Sequence, residues 1–208
     1  ILKILDEYES IECIVACSSK EYLPNIDHNR IKVFDTSGYS REENYIFGVE
    51  QCGGDYVLIA EDDDIIFTEG IHDFMNLHPL YKNTLFLYNG FLPNTFKDKI
   101  FVKNIKDDYY ISNSHFIFDL CGNKFQWGQC ITERNTLLKN MKLFWKDNKN
   151  IVRSDEIITI LCIKESKYIY ISNKSLLVTR VFNDNYSWNN KLEINQYDTY
   201  KSILKSYL

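Results

Sequence analysis

The sequence predicts an α/β fold: a mostly parallel central sheet flanked by helices, doubly wound in its first half and mixed in its second. Three observations predict it. Short apolar runs alternate with helix-period segments through residues 1–90. The most apolar run, Tyr56-Val57-Leu58-Ile59-Ala60, is continuous, as suits a parallel strand buried on both faces. That run ends in four consecutive acids, Glu61-Asp62-Asp63-Asp64, and open parallel sheets bind ligands beyond the carboxyl ends of their strands.

The elements follow in order. Residues 1–10 read as the tail of an amphipathic helix, with Ile1, Leu2, Ile4, Leu5 and Tyr8 apolar. Residues 11–17 (IECIVAC) form a short apolar strand, broken by Ser18, Ser19 and Lys20, and residues 31–34 (IKVF) form another. Residues 40–52 read as a helix: Ser40 caps it, Glu43 completes a capping box three residues on, and Tyr45, Ile46 and Val49 recur at helical spacing. Gly53-Gly54 is expected to stop it. Residues 55–60 are the continuous strand. A helix starts at Thr68 or Glu69 and runs to Pro79, a strand covers residues 85–90, and residues 97–119 look β-rich. Residues 132–143 and 154–164 are helical, the latter with Ile157, Ile158, Leu161 and Cys162 on one side. Strands follow at 168–171 and 176–181, then a polar, aromatic loop at 183–190 and a closing helix at 192–208. No linker or repeat intervenes, so residues 1–208 read as one domain, long enough for a substantial core.

Composition narrows the function classes. With 45% hydrophobic and 15% aromatic residues the chain is globular, not disordered. A formal charge of −5 provides no basic face for nucleic acid. No apolar run approaches the roughly 20 residues of a membrane span, and no signal peptide is expected. Cys13, Cys17, Cys52, Cys121, Cys130 and Cys162 lie scattered among apolar neighbours without zinc spacing, so they read as free buried thiols in a reducing compartment. The expected location is cytoplasmic, with peripheral membrane association open. The excess of Lys over Arg and the many Asn, Ile and Tyr point to an AT-rich genome, bacterial or viral. His28, His72, His78 and His115 form no pair at metal spacing, and no Walker or dinucleotide loop is present.

The acidic run carries the chemistry. Adjacent carboxylates repel one another and are tolerated best around a hard cation, and a carboxylate-bound Mg²⁺ or Mn²⁺ keeps positions open for phosphate oxygens. Ile65-Ile66-Phe67 anchors the run on its far side. A metal-bound diphosphate substrate is therefore expected; a solvated acidic turn is the bland alternative.

The segment Gly54-Asp55-Tyr56-Val57-Leu58-Ile59-Ala60-Glu61-Asp62-Asp63-Asp64 resembles the GDYxLxxDDDD stretch of inverting glycosyltransferases of the GT-A fold, of the family 2 type. Arg41, Asn44 and Gly48 fall in the order of that family's lead-in, residues 128–138 (GQCITERNTLL) are similar to its pocket-lining segment, and Ser154-Asp155-Glu156 is similar to the acidic pair opening its acceptor-side helix. The resemblance covers roughly residues 1–165 and implies a Rossmann-like sheet. It also implies a metal-dependent enzyme of polysaccharide biosynthesis that moves a sugar from a UDP-, GDP- or dTDP-linked donor to a hydroxyl of a glycan or lipid-linked acceptor, with inversion. The family opens on a strand and a Thr-x-Asn-Arg-type turn that holds the nucleotide base; that strand is expected upstream of Ile1, and no base-binding residue is assigned from it.

Roles are implied by the same resemblance. Asp63 or Asp64 binds the metal (Mn²⁺ or Mg²⁺) and Asp62 the ribose, with Asp62 also a metal candidate and Glu61 a further substrate-binding residue. Arg41 touches the diphosphate, orients Asp62, or is simply a surface Arg. Glu156 is the general base, with Asp155 the alternative, and both acids also suit an ordinary helix start capped by Ser154. Trp127 stacks on a sugar or fills the core. The 183–188 loop with Trp188 closes over the donor as a lid, or is inert. Competing readings are a nucleotidyltransferase of similar fold, a phosphatase with an Asp nucleophile (disfavoured by Ile66), and a non-catalytic sugar- or partner-binding module.

Overall fold

The structure, a computed structural model, describes residues 1–62, 64–94, 98–101, 107–111, 127–149, 151, 153–179, 202–203 and 205–206. Two compact units comprise Ile1–Val57 with Arg134–Asn150, and Leu58–Glu133 with Ile151–Leu208.

In the first unit, helix α1 (Leu2–Glu7) buries Ile4 and Leu5. A short helix leaves its last carbonyls without intrahelical partners. The Arg30 guanidinium donates to the carbonyls of Leu5, of Tyr8 at 2.6 Å and of Ile11 at 3.3 Å. Strands β1 (Cys13–Cys17) and β2 (Ile31–Asp35) pair in parallel, with Cys13 opposite Ile31 and Cys17 opposite Asp35. Helix α2 (Arg41–Gln51) carries the expected capping box: Glu43 N donates to Ser40 Oγ at 3.2 Å, and Ser40 N donates to the Glu43 carboxylate at 2.8 Å. Against α2 packs α4 (Arg134–Asp147), where Tyr45 and Trp145 stack with centroids 6.2 Å apart.

The end of α2 differs from expectation. Its last residue before the turn, Cys52, is extended, and among the described glycines only Gly38 has a positive φ. Gly53 therefore does not act as a left-handed stop. A Cβ there would sit 3.1 Å from Glu12 Oε1, so the glycine makes room for the carboxylate that its N–H binds.

Strand β3 (Tyr56–Leu58) leads out of the first unit and is shorter than the apolar run that announced it. The second unit contains β4 (Asp64–Ile66), α3 (Thr68–Leu77), β5 (Thr84–Asn94), β6 (Asp98–Phe101), β7 (Tyr109–Ile111), β8 (Cys130–Glu133), α5 (Ser154–Glu165) and β9 (Tyr168–Thr179). Its strands run β8-β5-β9-β4, with β6 on β5 and β7 on β9. The central pair β5–β9 is parallel, while β4, β6, β7 and β8 join antiparallel, which is the mixed second half expected from the sequence.

Phe86, Leu87, Ile171 and Leu176 fill the core of this unit. Helix α5 is apolar nearly all round, with Ile157, Ile158, Ile160, Cys162 and Ile163 buried, as a helix covered on most sides must be. Helix α3 lies close on β9: a Cβ on Gly70 would be 2.8 Å from Ser175 O and 2.9 Å from Leu176 Cα, so only glycine permits this approach.

Three other boundaries differ from expectation. The helix expected from Thr132 begins at Arg134, because Thr132 and Glu133 belong to β8. The two strands expected at 168–171 and 176–181 are one, since Ser172 to Ser175 continue along β5 through a bulge. Of the closing helix, only Ser202, Ile203, Lys205 and Ser206 are described, and they are helical.

Candidate functional site

The acidic run forms a tight turn between β3 and β4. Asp64 N donates to Glu61 O at 3.1 Å, and Glu61 N donates to Asp64 Oδ2 at 3.0 Å, so backbone and side chain close it reciprocally. The turn is anchored downstream by pairing of Asp64 with Thr179 and of Ile66 with Leu177, and by Phe67 N donating to Leu176 O at 2.8 Å. Glu61 and Asp62 stand exposed, Asp64 is half-buried, and Asp63 lies outside the described residues. Among the described residues no three His, Cys, Asp or Glu side chains are grouped as a metal cage. The donor set is still suited to a hard divalent cation, for it consists of carboxylate oxygens on one turn, with the Glu61 and Asp62 side chains exposed.

The acid pair lies in the same unit, at the start of α5. Ser154 is not the cap expected there: it is the first helical residue and is buried, and the capping position falls to Arg153. Arg153 is left-handed, with φ 61°, and makes no side-chain cap hydrogen bond. Glu156 is 5% exposed, and its Oε1 lies 3.6 Å from Arg153 Nε. Asp155 is half-buried. The two candidate bases are thus separated by environment, with Glu156 inside and Asp155 at the surface.

Trp127 belongs to a buried 3₁₀ turn, Trp127–Gln129, packed against β5, β8, β9 and α5. At 8% exposure its ring is largely covered, which favours the core reading over sugar stacking. Gln129 Nε2 donates to Tyr88 O at 3.4 Å. Gly90 makes this possible, for a Cβ there would approach the Gln129 side chain to 2.9 Å. Nearby, the Asp73 carboxylate accepts from Ser172 Oγ at 2.9 Å, and burial holds it above the usual carboxylate range.

In the first unit, Arg41 pairs with its neighbour Glu42 at 3.7 Å and is partly exposed. Asn44, singled out with Arg41 in the sequence, is a brace. Its Oδ1 accepts from Thr36 Oγ1 at 2.5 Å and its Nδ2 donates to Ala16 O at 3.3 Å, tying α2 to the carboxyl ends of β1 and β2. The turn before β3 is held from two sides. Glu12 binds Gly53 N and Lys32 Nζ, while Arg134 donates to the carbonyls of Cys52 and Asp55. Trp188 and the 183–188 loop lie outside the described residues. The described cysteines are free, with Cys130 and Cys162 buried and Cys13, Cys17 and Cys52 half-buried.

Arg153, Arg134 and Glu12 are the residues that sequence reasoning missed. Arg153 carried one signal, a cation directly before a helix-opening acid pair; the other two carried none, because Arg134 binds backbone carbonyls and Glu12 binds an amide and a lysine distant in sequence.

These features define an α/β fold of the GT-A glycosyltransferase type, with its acidic turn beyond a strand end. The chain is similar to S. aureus TarS 1–349 in complex with UDP-GlcNAc, with a TM-score of 0.67 at 15% identity over 98% of this chain and 60% of that one. TarS 1–349 alone gives a TM-score of 0.62 at 16% identity over 86% of this chain and 55% of that one. The chain thus spans about 60% or less of the length of these neighbours, and at such identity the likeness is one of fold. No protein-family model and no curated protein matches the sequence. No described helix is long and apolar enough to cross a membrane.

Proposed function

We propose that this chain is the catalytic part of a nucleotide-sugar glycosyltransferase. It would move a sugar from a nucleoside-diphosphate donor to a hydroxyl of a glycan or lipid-linked acceptor. The observation that carries the reading is the acidic turn. Glu61 and Asp64 close a turn between β3 and β4 by reciprocal hydrogen bonds, on a fold whose solved neighbour TarS binds UDP-GlcNAc. A UDP-linked donor is accordingly the first choice.

In this reading Asp62 holds the ribose, and Asp62, Asp63 and Asp64 hold Mn²⁺ or Mg²⁺, with Glu61 adding negative charge at the rim. Such a cation, when bound, supplies charge neutralisation for the leaving diphosphate. One oxygen of Asp64 accepts from the Glu61 amide, so a cation there would share this carboxylate with the turn. Arg41 serves the diphosphate, and Trp188 helps exclude water.

Glu156 takes the acceptor hydroxyl proton. The acceptor oxygen then forms its bond to the anomeric carbon as the bond to phosphate breaks, and the electron pair leaves with the diphosphate. A single displacement of this kind inverts the anomeric centre without a covalent intermediate.

A thermal-shift panel of nucleotide-sugars with Mn²⁺, Mg²⁺ or chelator tests the reading. Stabilisation by a UDP-sugar in the presence of metal is expected, about 2.7 kcal/mol at a hundredfold excess over Kd, and Asp63→Ala should remove the metal-dependent part. Failure of every nucleoside-diphosphate sugar to shift the transition, with or without metal, would sink the proposal.

A further inference from the structure

We propose that Arg153 is a positioning residue for Glu156: its guanidinium keeps the buried carboxylate ionised and in place to receive the acceptor's proton. This rests on Glu156 being the base. The geometry at the start of α5 is unusual for the residue it uses. The capping position of a helix favours Ser, Thr, Asp, Asn or Gly, because a short side-chain oxygen there accepts from the first free amides. A guanidinium has five donors and no acceptor and cannot do this. The position is also left-handed, at φ 61° and ψ 29°. Apart from Arg153, the only described non-glycine residue with positive φ is Asn83, a type that tolerates this conformation well. An Arg here is a poor choice for the helix on both counts, and such local misfits persist where something else fixes them.

What the Arg gains is proximity to one carboxylate. Its Nε lies 3.6 Å from Glu156 Oε1, and Glu156 N donates to Arg153 O at 3.2 Å, so backbone and side chain bind the same two residues together. The pair straddles the surface. The Glu156 side chain is 6% exposed and that of Arg153 42%, so the carboxylate is inside and the cation stands at the surface. A buried carboxylate without a positive neighbour tends to hold a proton, and a protonated base accepts nothing. Arg remains charged at every working pH.

The helix start favours the anion, and Asp155 on the same turn opposes it. The 3₁₀ turn packed against α5 brings Trp127, Gly128 and Gln129, none titratable.

The test compares wild type, Arg153→Gln, Arg153→Lys and Glu156→Gln in kcat/KM against pH, with the Glu156 carboxyl followed by ¹³C NMR in glutamate-labelled protein. Arg153→Gln should move the acidic limb and the NMR titration upward by about one pH unit, a loss on the order of tenfold on the acid side that shrinks as pH rises. Arg153→Lys should recover most of it. Arg153→Gly, which suits the left-handed backbone while removing the cation, gives the same reading if Arg153→Gln folds poorly. Profiles and titrations that coincide with wild type, while Glu156→Gln is inactive, overturn the role of Arg153 and leave the base intact. An active Glu156→Gln removes the base assignment itself, and the role of Arg153 with it.

Discussion

Carboxylates of the two units serve different ends, with one pairing common to both: Glu42 beside Arg41 in the first unit and Glu156 beside Arg153 in the second are each buried next to a more exposed Arg. In the first unit Asp35, Glu43 and Glu12 brace the backbone. Asp35 accepts from Ser37 Oγ and N, and Glu43 from Ser40 N and Oγ; these bonds hold both below the usual carboxylate range. Glu12 would be raised by burial, yet the Gly53 amide and Lys32 outweigh it and hold it low. In the second unit, burial raises Asp73, Glu156 is sunk beside one Arg, and Glu61 and Asp62 stand exposed on a closed turn. A carboxylate whose lone pairs serve its own backbone stabilises a fold. One held exposed at a strand end is available to a ligand, and one buried beside a cation is a candidate for chemistry.

The sharpest way to break this contrast is Glu156→Gln. If the buried acid is the base, turnover should fall by 10²- to 10⁴-fold, with binding of a nucleotide-sugar preserved in thermal shift. Asp155→Asn should cost far less. The reverse ranking, with Asp155→Asn dead and Glu156→Gln active, would make Glu156 another brace and move the chemistry to the surface acid.

Much of this layout was legible in the chain, for identifiable reasons. The capping box of α2 is local, three residues from Ser40 to Glu43, and it forms as read. The alternation of strands with α2 and α3 is a matter of period, which short windows reveal. What failed was either too short or too distant. Strand β4 has three residues, too few for a period, and exists because β9 pairs with it. The polar run 172–175 reads as a break in β9, yet Ser175 pairs with Asn89, Asn173 bonds Asn89 and Asp108, and Ser172 donates to Asp73. Ser154 has ideal capping chemistry, yet the helix begins on it and buries it. At the candidate site the acids were visible as a cluster. Their division into exposed Glu61 and Asp62 and a turn-closing Asp64 depends on hydrogen bonds that composition does not encode.

The second unit's close packing offers the next test. Gly70→Ala places a methyl group 2.8 Å from Ser175 O and 2.9 Å from Leu176 Cα, both backbone atoms that cannot swing aside. Destabilisation of about 1–3 kcal/mol is expected, with Tm falling by roughly 2–4 °C per kcal/mol in a chain of this size. An unchanged melting temperature would mean that α3 and β9 separate easily. The bulged strand would then be a poor platform for the acidic turn it anchors.

In the first unit, Glu12→Gln probes whether its acids are braces. The neutral amide weakens the bonds to Gly53 N and Lys32, and a loss of about 1 kcal/mol is expected at pH 7. The pH dependence has a definite sign. Because the folded carboxyl lies below its ordinary value of 4.5, its contribution is complete above that value and is lost as pH falls through the folded pKa. The gap between wild type and Glu12→Gln in chemical denaturation should therefore be constant near neutrality and close below about pH 4.5. A gap that widens on acidification would show that Glu12 is not held ionised by Gly53 and Lys32.

The smallest expected effect belongs to Ser40→Ala. It removes the hydroxyl that accepts from Glu43 N and leaves that amide to water, at a cost of typically about 1 kcal/mol, measured by denaturant midpoint with an unchanged m-value. The value of this substitution lies in what should not change. Arg41 follows the cap directly and is the one first-unit side chain proposed to serve the diphosphate. If the cap is only a brace, Ser40→Ala lowers stability while the metal-dependent shift by a UDP-sugar stays as large as in wild type. A loss of that shift out of proportion to the loss of stability would mean that the start of α2 does more than hold the helix. The division between a bracing unit and a reacting unit would then have to be redrawn at Arg41.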